Sequence, residues 1–143
     1  MKKAVLLVSF MALSLTTVTN FAAQTSVAVT AHVYKALTVT QSQAMDFGDL
    51  YVTTGSSATK TATGAFQVTG EENASISIDY PDTVTLAGPA SSSLTVDIQT
   101  NDENETLNGS GQLTKSFSGE VTVNATTAAG DYTGTATITV TYV

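Results

Sequence analysis

The chain has no cysteine, no tryptophan, no arginine, one histidine and two prolines among its 143 residues. Without cysteine there is no disulfide frame, no thiolate zinc site and no thiol nucleophile. A single histidine, His32, leaves neither a His-rich metal centre nor a pair of catalytic imidazoles. Basic charge is scarce: five lysines face twelve acids, for a net charge of −7. Lys2 and Lys3 sit at the extreme N-terminus, so residues 24–143 keep three lysines against all twelve acids, a net of −9. A chain this acidic is a poor ligand for phosphate backbones, and nucleic acid is not an expected partner. What the chain does have is hydroxyl. Threonine and serine together exceed a quarter of it, while the hydrophobic share of 42% is ordinary for one folded domain.

The one long apolar run lies at residues 4–15, AVLLVSFMALSL, directly after Met1-Lys2-Lys3. Polar residues 16–20 and then Phe21-Ala22-Ala23-Gln24 follow it. A basic start, a short apolar stretch and small residues at a cut form the layout of a secretory signal peptide. Twelve apolar residues are too few to cross a bilayer core. Residues 1–23 are therefore expected to be a cleaved signal, with export through the inner membrane to the periplasm and then to the cell surface or the medium. The cut is placed near Gln24, since the residues around it fit the small-residue rule only partly.

Beyond the signal, residues of the Val, Ile, Thr, Tyr and Phe type alternate at period two, the mark of half-buried strands. Residues 132–143 give the clearest run, with Ala136, Ile138, Val140 and Tyr142 on one face and threonines on the other. Leu94, Val96 and Ile98 repeat the pattern, as do Ala74, Ile76, Ile78 and Tyr80. Further strands are expected at 27–33, 36–41, 46–52, 64–69, 83–86, 112–117 and 120–125. Turn chemistry separates them at Gly55-Ser56-Ser57, residues 70–73, Pro81-Asp82, Gly88-Pro89, residues 101–111 and Gly130-Asp131. Short strands punctuated every eight to twelve residues or so predict an all-β antiparallel sandwich. Threonine suits the solvent face of such a sheet, being β-branched yet polar.

The two ends of residues 24–143 carry a more specific pattern. Counted from Val143, Gly130 is the fourteenth residue; it precedes an alternating strand with a penultimate tyrosine, Tyr142. Taken alone, this is equally the pattern of an ordinary final strand after a glycine turn. At the other end, residues 24–34 place Val27, Val29, Ala31 and Val33 on one side of an extended segment, and Lys35 interrupts the phase. That segment is either a strand given to another molecule or the domain's own first strand.

The C-terminal pattern resembles that of chaperone–usher fimbrial subunits. Leu37-Thr38-Val39 with residues 45–50, residues 76–86 and residues 129–135 together resemble a family of small, cysteine-free secreted bacterial domains labelled only as a domain of unknown function. That family in turn resembles the archaic and alternate-class fimbrial pilins. The resemblance spans essentially the whole of residues 24–143 and implies an immunoglobulin-like sandwich, residues 35–143, that lacks its last strand. It implies that residues 24–34 complete a neighbour by donor-strand exchange, with Val27, Val29, Ala31 and Val33 filling the groove. Gly130, Ala136, Ile138, Val140 and Tyr142 would form the groove edge and the strand that contacts a chaperone. The implied partners are other copies of the chain, a periplasmic chaperone and an outer-membrane usher. The chain departs from the best-studied pilins in having no disulfide near the first strand, which leaves the cysteine-free relatives. Physically, the exchange is strand addition: main-chain hydrogen bonds bind and alternate side chains fill pockets.

No enzyme is read in these residues. His32 falls on the outer face of the N-terminal segment, with no orienting carboxylate or nucleophile placed beside it. Asn101, Asp102, Glu103, Asn104 and Glu105 form the densest acidic stretch, but it lacks the spacing of a calcium loop and reads as a solvated turn. No catalytic residue, cofactor or metal ligand is assigned. Four Asn-x-Ser/Thr sequons, at Asn73, Asn104, Asn108 and Asn124, are expected by chance in so hydroxyl-rich a chain. Phe47-Gly48 reads as a bulge crossed closely by another strand, and Gly130 as a positive-φ turn. The competing functional reading is a self-complete, monomeric secreted sandwich that binds a carbohydrate or a host protein; the absence of tryptophan weighs against a sugar site.

Overall fold

A computed structural model describes residues 22–143; the expected signal peptide lies almost wholly outside the described residues. The chain divides into two units, Met1–His32 and Val33–Val143. In the first, the described residues 22–32 are exposed and form no strand. The expected strand at 27–33 is therefore absent.

The second unit is all-β. Eight strands run in chain order: β1 (Thr38–Gln43), β2 (Ser57–Thr69), β3 (Ser75–Asp79), β4 (Thr83–Ala87), β5 (Ser93–Ile98), β6 (Glu103–Thr106), β7 (Gln112–Asn124) and β8 (Thr139–Tyr142). Five of them form a sheet in the order β1-β2-β7-β5-β4, and three form a second sheet in the order β6-β3-β8. Every pair is antiparallel. The two sheets make a sandwich-like arrangement.

The spine of the larger sheet is the β2–β7 pair, in register from Ser57↔Asn124 to Thr69↔Gln112. Period-two alternation turns Phe66 and Val68 of β2 and Phe117, Val121 and Val123 of β7 inward. Ile76 and Ile78 of β3 face them from the smaller sheet and are fully buried. Each such side chain contributes roughly 1.5–3 kcal/mol by leaving water. Phe66, Tyr80 and Phe117 meet between the sheets with ring centroids 6.0–6.2 Å apart. Val84, Val96 and Val121 form a second buried cluster.

Several boundaries differ from expectation, each for a physical reason. The expected strands at 112–117 and 120–125 are one strand, because Gly119 continues the ladder opposite Ala62 and Ile98. A side chain there would meet Val96 and Met45 at 2.8 and 2.9 Å, so glycine is a packing requirement and not a break. Residues 46–52 form no strand: the Asp46 carboxylate accepts the Gly48 N–H at 2.7 Å and turns the chain. Gly48 has φ +58°, so it serves backbone conformation rather than a close strand crossing. The acidic stretch expected as a solvated turn contains β6, paired with β3 from Ser75↔Thr106 to Ile78↔Glu103. Gly130 has the expected positive φ, +146°.

Candidate functional site: the open flank between β1 and the C-terminal segment

The C-terminal segment changes sheets. Thr133 forms an isolated bridge with Ala87 of β4, donating its N–H to the Ala87 carbonyl (3.0 Å) and accepting in return (2.7 Å). By Thr139 the chain has joined β3 of the smaller sheet, with Ile78↔Val140 and Ile76↔Tyr142 in register. Between these points, residues 134–138 belong to no ladder among the described residues. This is why the strand expected at 132–143 is only four residues long.

Alternation nevertheless persists along the whole segment. Ala136, Ile138, Val140 and Tyr142 are half-buried and packed on the core, while the threonines between them are exposed. β8 has β3 on one side and no strand on the other among the described residues; β1 is likewise an edge of its own sheet. A cleft of about 480 Å³ opens between β1 and residues 134–138, the stretch that leads into β8, and is lined by Val39, Met45, Phe66, Phe117, Ala136 and Ile138. A wider cleft of about 1080 Å³ continues past it, with Phe47, Leu50, Leu86, Leu94, Val121 and Tyr132 among its walls. Met45 and Gly134 line both clefts. The narrower cleft is walled by the core residues Phe66 and Phe117 and rimmed by the unpaired edge of β1.

The residues expected at the groove edge divide into three roles. Ala136 and Ile138 line the narrower cleft. Gly130 lines the wider one, where a side chain would meet Pro89 at 2.9 Å. Val140 and Tyr142 pack on the core at the other end of the segment, outside both clefts. The Tyr142 hydroxyl donates to the Lys35 carbonyl at 2.8 Å and accepts the Glu71 N–H at 2.7 Å. Tyr34 lies against it with ring centroids 5.0 Å apart. The four side chains expected to be donated, Val27, Val29, Ala31 and Val33, are all exposed; the valines are 78, 90 and 87% so.

Sequence reasoning missed two charged groupings. Lys35 donates its N–H to Glu71 and its ammonium to Glu72, both at 3.1 Å. Lys115 occupies an inward position of β7, between Leu113 and Phe117, and its ammonium reaches Glu103 at 2.9 Å and Glu105 at 2.7 Å on β6. The Tyr80 hydroxyl also donates to Glu103, and Asp102 accepts the Tyr80 N–H. Hydrogen bonding to the Lys115 ammonium holds the Glu103 carboxyl below its ordinary range, and Glu105 and Glu103 together raise Lys115. Burial, then Glu103, pushes the Tyr80 phenol up. The alternation of Glu103 and Glu105 about Asn104 was a period-two signal that could have revealed β6. The lysine breaking the inward phase of β7 could have named its partner.

Among the described residues, no group of three or more His, Cys, Asp or Glu side chains is arranged to hold a metal ion. No helix among them is long and apolar enough to cross a membrane. No curated protein and no solved structure matches the chain. One family model does, that of a domain of unknown function (DUF4402), over residues 52–142. The match begins in the loop before β2 and ends with β8, covering seven of the eight strands. The chain belongs to this DUF4402 family.

Proposed function

We propose that the chain is a structural subunit of a bacterial surface fimbria, polymerising when residues 24–34 of one copy complete the sandwich of the next. The observation that carries this reading is the cleft between the free edge of β1 and the unladdered residues 134–138, walled by the core residues Phe66 and Phe117. An exposed edge beside exposed core is a liability in an isolated domain, because it templates uncontrolled pairing. A strand laid along Ala136 and Ile138 converts it into a specific junction. Residues 24–34 have the pattern such a strand needs, and their valines are exposed. At about 3.3 Å per residue, eleven residues extend roughly 36 Å. Along the C-terminal segment the two clefts are lined by residues 127–138, a stretch of similar length.

A heterologous junction of this kind does not close on itself, so it builds a filament. Before assembly the groove needs a temporary occupant, which is the role of a periplasmic chaperone, and an outer-membrane usher is the route to the surface. The cysteine-free composition transfers the stabilising role of a disulfide to the donated strand. The test is deletion of residues 24–34. The shortened subunit is expected to fold with its chaperone and to form no heat-resistant multimers; undiminished polymerisation contradicts the proposal.

A further inference from the structure

A subunit that carries both a groove and the strand that fits it faces a kinetic problem. A short flexible tether holds its own strand at an effective concentration of about 1 mM, roughly a thousandfold above a micromolar neighbour. Self-closure should therefore outrun polymerisation unless geometry forbids it. Among the described residues, 22–37 form no strand.

The root of the extension carries a restraint that would oppose self-closure. Leu37 is already packed on the core and Thr38 opens β1, so a self-inserted strand would have to reverse within residues 34–37. Lys35, in the middle of that link, is held through all three of its polar groups. Its N–H donates to the Glu71 carboxylate (3.1 Å), its carbonyl accepts from the Tyr142 hydroxyl (2.8 Å), and its ammonium donates to Glu72 (3.1 Å). The Glu71 N–H donates back to Tyr142 at 2.7 Å and closes the circuit. Glu71 and Glu72 belong to the connection between β2 and β3, which joins the two sheets at one end of the sandwich. The clamp thus seats the link on that end. The ammonium–Glu72 contact is exposed and weak alone; the restraint comes from fixing the amide, carbonyl and side chain of one residue together.

We infer that the Lys35–Glu71–Glu72–Tyr142 clamp blocks self-closure by fixing the root of the extension, so that only a second copy fills the groove. This rests on the proposed polymerisation, and it makes the penultimate tyrosine a positioning residue rather than a groove wall. The experiment compares five forms of the chain beginning at Gln24: unaltered, Glu71→Ala with Glu72→Ala, Tyr142→Phe, Lys35→Met, and a deletion of residues 24–33. Each is refolded at micromolar concentration without chaperone. Multimers and monomers that resist cold detergent are separated, and amide exchange is read at residues 27–33. The clamp variants are expected to raise the share of closed monomers, with protected amides at 27–33, by at least about tenfold over the unaltered chain. Lys35→Met, which removes only the exposed ammonium, should produce a smaller rise and serves as the variant least able to disturb folding. An unchanged partition across all the clamp variants overturns the inference. Multimers persisting in the deletion form overturn instead the underlying reading of the groove.

Discussion

The two edges of the three-stranded sheet are finished differently. At the β6 edge, Lys115 of β7 reaches across to Glu103 and Glu105, Tyr80 adds its hydroxyl, and Leu107 is 1% exposed. On the other side β8 has no second neighbour among the described residues, and Ala136 and Ile138, just before it, line an open cleft. One flank is closed by the chain's own charges, the other left open with apolar side chains. The difference separates a flank where an ion cluster ties the two sheets together from one that exposes apolar side chains, and it is to the second that the proposal assigns association.

Perturbing the two flanks should therefore give different signatures. The largest loss of stability is expected from neither flank but from the strand between them. Ile78→Ala removes a fully buried side chain at the centre of β3 and should cost about 2–5 kcal/mol in denaturant unfolding. On the closed flank, Lys115→Ala leaves two carboxylates facing each other across a space without a cation. These groups are 23–32% exposed, so solvent relieves part of the penalty, and a loss of about 1–2 kcal/mol is expected. That variant should retain its ability to accept a strand. On the open flank, Ile138→Ser should cost about 1 kcal/mol or less in the isolated domain, because the side chain is only half-buried. It should nevertheless abolish multimer formation.

The closed flank also carries a pH signature. Glu103 is held below its ordinary pKa of 4.5 in the fold, so its contribution is complete above that value and disappears as the pH falls through the lowered one. Lys115 is raised above 10.5, so its contribution is complete below that value and is lost as the pH rises through the raised one. Thermal unfolding should show a plateau between these limits. Lys115→Met should flatten the acid limb, whereas Ile138→Ser should leave the profile's shape unchanged.

Much of this fold was legible because strands announce themselves by alternation. The inward positions of β3, β5 and the C-terminal segment follow directly from their period-two patterns. Two things were not legible. Period two says which face a residue occupies but not whether a partner strand lies alongside, so residues 27–33 and 46–52 read as strands and are not. A charge on an inward phase also reads as an interruption until its counter-charge is placed in space, which hid the meeting of Lys115 with β6. For the groove, Ala136 and Ile138 were readable from the sequence. Its opposite wall was not: Val39, Met45, Phe66 and Phe117 are brought there by sheet order, which no local pattern encodes. Tyr142 was placed on the right strand, and its hydroxyl contacts were not readable from the pattern. Its hydroxyl is committed to Lys35 and Glu71 at the end of the sandwich.

The central claim, that the open flank receives the strand formed by residues 24–34, is tested most directly by adding that strand as a separate molecule. A domain lacking residues 24–34 would be titrated with a synthetic peptide of that sequence, following thermal unfolding and amide exchange. The account predicts saturable stabilisation, reaching about 2.7 kcal/mol at a hundredfold excess over Kd, with new protection along β1 and residues 134–140. A peptide carrying Asp in place of Val29 should do neither. Unchanged unfolding and unchanged exchange at residues 134–140 in the presence of saturating native peptide would contradict it.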